Sequence, residues 1–90
     1  MFTYLGLKYL DPSEKWTFQA KGFVYFYNSY SWGGWVLLFV DNGGVSILRQ
    51  ADYGIGYVGF SYSNGELTIT NTSSARRAFR AAVQNLSLTE

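Results

Sequence analysis

The sequence predicts an all-β protein, an antiparallel β-sandwich of jelly-roll-like type with about seven short strands. Two observations predict this class. Short runs of β-branched and aromatic residues alternate along the chain with clusters of Gly, Asn, Asp and Ser, and that spacing is typical of antiparallel strands joined by turns. The segments 41–44 and 64–65 carry the Asn and Gly residues that hairpin turns with positive φ prefer. The 90 residues form one domain, spanning 1–90.

The N-terminal half shows a strand pattern in each apolar run. Residues 1–12 form either an N-terminal arm or an edge strand, and the only proline, in the segment 11–14, predicts a turn. Apolar and polar residues alternate from Lys15 to Lys21, which predicts a half-buried strand. Phe23–Tyr27 and Trp35–Val40 are apolar on both faces. Such strands are central or lie at an interface, and in so small a chain they indicate association with identical copies.

The C-terminal half begins with three further strands and ends with a segment that fits two structures. The strands are expected at Val45–Arg49, within Ile55–Ser63, and around Leu67 and Ile69. Within 75–86, apolar residues fall at helical spacing and alanine favours a C-terminal helix. If the same segment is a strand, Phe79, Ala81 and Val83 face inward. The local pattern leaves both alternatives open.

Composition excludes several function classes. The chain has no Cys and no His, which removes disulfides, thiolate and imidazole metal ligands, and the Ser-His-Asp triad. The net charge of +1 argues against a nucleic-acid partner. The longest apolar run has six residues, too short to cross a membrane, and the N-terminus shows no signal-peptide pattern. We therefore expect a non-enzyme without cofactor or metal; an enzyme would need a carboxylate pair, such as Asp52 and Glu66.

The aromatic content points to a binding surface. Aromatic residues make up 20% of the chain, more than a small core is expected to absorb. Two loops, Asn28–Gly34 and Gln50–Gly54, combine such rings with amide, hydroxyl and carboxylate groups. This combination suits a glycan site in which rings stack on sugars and polar groups bind the sugar hydroxyls. Alternatively, the tryptophans of the first loop pack on the core or at a subunit interface. Arg80 belongs to a cluster of three arginines that forms either an anion anchor or a solvated face. The predicted ligand-binding residues are Asn28, Tyr30, Ser31, Trp32, Asp52, Tyr53 and Arg80.

The second half of the chain resembles the receptor-binding tips of bacteriophage tail fibres and related tail proteins. The resemblance rests on a strand and Asn-Gly turn over 57–65, a Leu-Thr-Ile-Thr-Asn strand over 67–71, a Ser-rich turn, and then Arg77-Ala78-Phe79-Arg80. It covers about a third of the chain. It implies a compact β-sandwich, commonly a homotrimer located in the virion, that binds a host surface glycan or protein receptor without catalysis. It also favours a strand for the last segment.

Two functions follow as expectations. The first is a non-catalytic recognition module, a phage tail receptor-binding domain. The second is a small structural or inhibitory protein that binds a protein partner through an exposed aromatic surface. A concave surface lined with polar groups would favour the first, and a flat apolar surface would favour the second.

Overall fold

The computed structural model describes residues 2–28, 34–41, 44–51 and 58–85. These ranges contain eight strands and no helix. They therefore include no helical membrane span. The all-β prediction is therefore confirmed, with one strand more than expected. The strands are Thr3–Leu10 (β1), Lys15–Gln19 (β2), Gly22–Asn28 (β3), Trp35–Asp41 (β4), Gly44–Gln50 (β5), Val58–Ser63 (β6), Glu66–Asn71 (β7) and Arg77–Asn85 (β8).

The strands form two antiparallel sheets that pack as a sandwich. The larger sheet has the order β1-β8-β3-β4-β5, and the smaller has the order β2-β7-β6. Pairing of β1 with β8 in one sheet and of β2 with β7 in the other brings the two ends of the chain together. This nested pairing is what makes the fold jelly-roll-like. By contrast, β3, β4 and β5 form a simple meander.

The core lies between the sheets and follows the two-residue period of the strands. Phe26 on β3 stacks on Phe79 of β8, with ring centroids 5.2 Å apart. Its edge also meets Phe60 of the smaller sheet at 5.7 Å, an arrangement that aromatic rings favour. The remaining fully buried apolar residues come from both sheets: Leu10, Val24, Val36, Leu38, Val40, Leu67 and Ile69.

The structure decides both alternatives left open at the chain ends. Residues 3–10 are an edge strand, not a loose arm. Of the two alternatives for 75–86, the C-terminal helix is wrong, because residues 77–85 form β8, which lies between β1 and β3. Phe79, Ala81 and Val83 are buried, as the strand alternative requires. Pairing on both edges satisfies the backbone of β8 and overrides the helical preference of its alanines.

Two predicted turns occur with the backbone geometry that their residues require. Asn64 and Gly65 both have positive φ, 54° and 78°, as a two-residue hairpin turn needs. In the turn 11–14, the Glu14 amide donates to the Asp11 carbonyl over 2.9 Å. Ser13 has φ of 72° there. It is the third residue of the turn, directly after the proline, where a type II turn normally places glycine.

A buried amide joins the ends of three strands. Asn71, the last residue of β7, is fully buried. Its amide nitrogen donates to the carbonyls of Leu10 at 2.8 Å and Ala75 at 3.0 Å. Its side-chain oxygen accepts from the backbone amide of Ser73 at 2.9 Å and lies 2.7 Å from the Ser73 hydroxyl. The amide thus fixes the point where the chain leaves the smaller sheet and enters the larger one as β8.

Replacing Ser13 with glycine should stabilise the protein by about 0.5–1 kcal/mol. The left-handed conformation costs a non-glycine residue about 1–2 kcal/mol, of which the greater flexibility of unfolded glycine cancels a part. Urea unfolding of Ser13→Gly and of the control Ser13→Ala measures the effect. A glycine variant no more stable than the alanine variant would contradict this explanation.

Replacing Asn71 with aspartate should destabilise the protein by about 3 kcal/mol or more. The substitution removes the donor to two carbonyls and leaves a buried carboxylate facing them. The matched control is Asn85→Asp, at an exposed residue whose side-chain oxygen accepts from the Lys21 amide and would continue to do so. Urea unfolding should show a small change for the control. A loss below about 1 kcal/mol for Asn71→Asp would show that the amide network does not hold the crossover.

Candidate functional site: an alanine-floored trough on the outer sheet face

The outer face of the larger sheet is aromatic, although the smaller sheet does not cover it. Residues on β3 and β4 that alternate with core positions point to this face and remain half-buried or exposed. The same holds for β1, whose outward residues pair with the outward residues of β8. The large outward side chains on these strands are Tyr4, Leu7, Tyr9, Phe23, Tyr25, Tyr27, Trp35, Leu37 and Phe39.

The central strand β8 interrupts this aromatic face. Its outward residues are Ala78, Arg80 and Ala82, followed by Gln84 opposite Phe23. An alanine methyl rises one carbon above the backbone, whereas the neighbouring tyrosine rings rise much further. These side-chain lengths imply a depression at Ala78 and Ala82, on either side of Arg80, and we call this stretch of β8 with its neighbours the trough. Its floor is Ala78, Arg80 and Ala82, and its walls are Tyr4, Leu7 and Tyr9 on β1 and Tyr25 and Tyr27 on β3.

The walls of the trough stand two strand spacings apart, which is about 10 Å between strand axes. On the β1 side, Tyr4 and Tyr9 are 56% and 55% exposed, although the guanidinium of Arg76 lies over one face of the Tyr9 ring. On the β3 side, Tyr25 is 37% exposed. Ala78 is buried, whereas Ala82 is half-buried, so the trough is open chiefly over Arg80 and Ala82.

Neighbouring rings support the β3 wall. The ring centroid of Tyr25 lies 5.7 Å from that of Tyr27 and 6.2 Å from that of Trp35. Further along the same face, Phe23 and Phe39 meet edge to face at 5.2 Å. Contacts of this kind hold aromatic side chains in place, so the wall is largely formed before a ligand arrives.

Arg80 is the charged group on the floor. Its Nη1 atom donates a hydrogen bond to the Tyr4 hydroxyl, which ties the guanidinium to the β1 wall. Among the described residues, no carboxylate forms an ion pair with Arg80. A guanidinium has five N–H donors in a planar fork, and the bond to Tyr4 uses one of them. No described residue takes a second side-chain hydrogen bond from this guanidinium, so its other donors face a ligand without a competitor among those residues.

The three neighbouring arginines take three different positions. Arg76 lies 5.1 Å from the centroid of the Tyr9 ring, and its Nε atom is 3.8 Å from an Asp11 carboxylate oxygen. Arg77 points to the inner side, where its Nε atom lies 3.4 Å from the Ser73 hydroxyl. Only Arg80 enters the trough, so the arginine cluster of the sequence does not form one continuous charged face.

The charge on the outer face is mainly positive. Arg49 on β5 also points outward, opposite Leu37. The outward carboxylate on the described strands is Asp41, at the end of β4 beyond Phe39, and it lies far along the sheet from Arg80. Within the described ranges, the trough therefore offers an anion a guanidinium that no carboxylate pairs with, and the Asp11 carboxylate beyond Tyr9 lies against Arg76 instead.

Most of the ligand-binding residues predicted from the sequence lie outside the described residues. These are Tyr30, Ser31, Trp32, Asp52 and Tyr53. Asn28 ends β3, opposite Phe79, and its backbone alone is described. Of the seven predicted residues, Arg80 is the one whose side chain the structure places, and it lies on a strand of the outer face.

The remaining trough residues were not predicted from the sequence, although one signal for them was present. The two-faced pattern of Phe23–Tyr27 correctly marked a central strand with apolar residues on its outer side. Tyr4 and Ala82 carried no such signal. They approach Arg80 because β8 inserts between β1 and β3, a pairing between distant parts of the chain.

The chemistry of the trough suits binding of an anion next to a flat apolar surface. Its tyrosines offer ring faces and hydroxyl groups, and Arg80 offers bidentate hydrogen bonds. In the part of the chain that the structure describes, no three acidic side chains cluster to hold a metal ion. No buried side-chain polar atom there lacks a hydrogen-bond partner.

Comparison of the chain with protein-family models, with curated proteins and with solved structures finds no significant match.

Proposed function

We propose that this protein is a non-catalytic recognition module whose trough binds an acidic surface glycan. The observation that carries the proposal is Arg80, a guanidinium without a carboxylate partner among the described residues, held between tyrosine walls on an alanine floor. A sugar carboxylate would bind the guanidinium through two hydrogen bonds. The sugar ring would stack its C–H face on a wall tyrosine, and the tyrosine hydroxyls would bind its hydroxyl groups.

The geometry of the trough favours a glycan over a peptide. The backbone of β8 already pairs with β1 and β3 along its length, so a peptide cannot bind there by adding a strand. A helix, with a diameter of about 10–12 Å, is too wide for walls whose strand axes are about 10 Å apart. A single chain of sugars needs neither a free sheet edge nor that width.

Charge favours a glycan over a nucleic acid. Among the described residues, the trough floor carries one cation, Arg80, while Arg76 at the Tyr9 wall faces Asp11, and the whole chain has a net charge of +1. Nucleic-acid binding depends on several phosphate contacts whose charges add. The single guanidinium of Arg80 is instead suited to a ligand that presents a single carboxylate, as an acidic sugar does.

The wider setting of the proposal comes from the resemblance to phage tail tips. That resemblance requires a final strand after the Ser-rich turn, and β8 is consistent with it. A host surface glycan as ligand and a location in the virion are the parts of the proposal that rest on this resemblance alone.

A second candidate function has one observation in its favour. Phe23, Leu37 and Phe39 extend the outer face beyond the trough with apolar side chains, two of which meet edge to face. A protein partner could cover this part of the face, as in the interaction protein considered from the sequence. Phe39→Ser would then abolish capture of that partner, whereas it should leave glycan binding by the trough intact.

Replacing Arg80 with glutamine should weaken binding of an acidic glycan by about 10- to 100-fold, the equivalent of losing a charged hydrogen-bond pair. The probes are oligogalacturonate and sialylated oligosaccharides, with their carboxyl methyl esters as neutral counterparts, measured by calorimetry. The matched control is Arg49→Gln, which removes an outward arginine of the same sheet outside the trough. We expect less than about a threefold change for the control.

Three outcomes would contradict the proposal. The first is that the wild-type protein binds none of the acidic probes at millimolar concentration. The second is that it binds the methyl esters as tightly as the acids. The third is that Arg49→Gln weakens binding as much as Arg80→Gln does.

Replacing Tyr4 with phenylalanine should weaken acidic-glycan binding by about 3- to 10-fold. The variant keeps the ring but removes the hydroxyl that accepts the hydrogen bond from Arg80, so the guanidinium loses its fixed position. The control is Tyr9→Phe on the same wall, whose ring contacts Arg76 instead. Equal losses in both variants would show that Tyr4 acts through general contact, not by positioning Arg80.

A further inference from the structure

The outer edge of β1 is unpaired within the described part of the chain. β1 is the first strand of the larger sheet and pairs only with β8. The other edge strand of that sheet is β5. Edge strands present a row of free amide and carbonyl groups, and proteins usually shorten, charge or cover them. β1 is eight residues long and carries one charged residue, Lys8.

Exposed apolar side chains are concentrated at β1. Of the eight large apolar residues that are exposed in the described ranges, five lie between residues 2 and 9 and two lie on β5. Those near β1 are Phe2, Tyr4, Leu5, Leu7 and Tyr9, between 36% and 56% exposed. Both the backbone edge and the side chains of this strand therefore lack a partner that matches them.

We propose that β1 pairs with β1 of a second copy of this chain to form a two-fold dimer. This inference rests on the fold and does not depend on the proposed glycan site. All neighbours in the larger sheet are antiparallel, so β1 and β5 run in the same direction. A ring of copies joining β1 to β5 would then need a parallel contact, whereas β1 meets β1 in the antiparallel way, which is more stable per residue.

The charge on β1 selects a register for this pairing. Centring the two-fold axis on Lys8 would place two lysines directly opposite each other, which is destabilising. Centring it on Leu7 places the two leucines together and sets Lys8 opposite Gly6, which has no side chain. The net charge of +1 per chain does not oppose this association.

Pairing through the β1 edges is also more favourable than a dimer in which the outer faces of the two larger sheets stack on each other. A face-to-face dimer would bury Arg80 of both copies away from water with no carboxylate to pair with, which is costly. Edge pairing leaves the trough open. It sets the two troughs three strand spacings apart, about 14 Å between the β8 axes, so that one glycan chain could occupy both and gain avidity.

The expected dimer is weak. Centred on Leu7, the pairing spans Tyr4 to Leu10, an edge about 24 Å long that includes the bulge between Tyr4 and Gly6. A sheet layer is about 10 Å thick, so each copy buries roughly 240 Å² of planar area. The total lies below the 1,200 Å² of stable complexes, which predicts a concentration-dependent equilibrium. The trimer that the tail-tip resemblance implies would instead need a different contact.

A single cysteine provides the test, because the chain has none of its own. Directly opposite residues of antiparallel strands have Cα atoms about 4.5–5.5 Å apart, within the range of a disulfide. Leu7→Cys should therefore form a disulfide-linked dimer under mild oxidation at least tenfold faster than Leu48→Cys. The control changes the same residue type on the other edge strand, where Leu48 is also exposed.

A second measurement does not depend on cross-linking. Sedimentation equilibrium of the wild-type chain, from micromolar to millimolar concentration, should show a monomer–dimer equilibrium. Leu7→Lys should weaken it by at least tenfold because two added lysines would face each other, whereas Leu48→Lys should not. A monomer at all concentrations, a trimer, or equal cross-linking at Leu7 and Leu48 would overturn the proposal.

Discussion

The buried amide of Asn71 is the interaction on which the arrangement of the larger sheet depends. It holds the ends of β1 and β7 and the start of the crossover to β8 through hydrogen bonds to Leu10, Ala75 and Ser73. A buried amide that bonds with both its nitrogen and its oxygen fixes one chain path, since any other path leaves polar groups without partners. The path it fixes takes the chain from the smaller sheet into the centre of the larger one.

The position of β8 explains why this sheet has a binding feature instead of a uniformly aromatic face. A central strand needs small or apolar residues on its inner side, which Phe79, Ala81 and Val83 provide. Between strands that carry tyrosines, its outer side carries two alanines and Arg80, with Gln84 beyond them opposite Phe23. The alanines that lowered the local preference for a strand thus form the floor of the trough. The Arg80 guanidinium lies between them, where it can bind an anion.

Local signals predicted those elements whose structure depends on local chemistry. The alternation from Lys15 to Lys21 predicted β2, and Asn64-Gly65 predicted its hairpin turn, because side-chain period and positive φ are properties of a few adjacent residues. The state of 77–85 could not be predicted in this way, since pairing with β1 and β3 outweighs the helix preference of alanine. The trough was missed for the same reason, because Tyr4, Tyr25 and Arg80 meet only through that pairing.

The most direct test of this account is an NMR titration of the alanine methyl groups with an acidic oligosaccharide. Ala82 and Ala81 are adjacent in sequence, but Ala82 faces the trough and Ala81 is buried in the core. The account predicts that the Ala82 methyl resonance shifts on titration, while those of Ala81 and the buried Ala20 stay in place. Saturable binding that leaves Ala82 unmoved would contradict it, because the ligand would then bind elsewhere on the molecule.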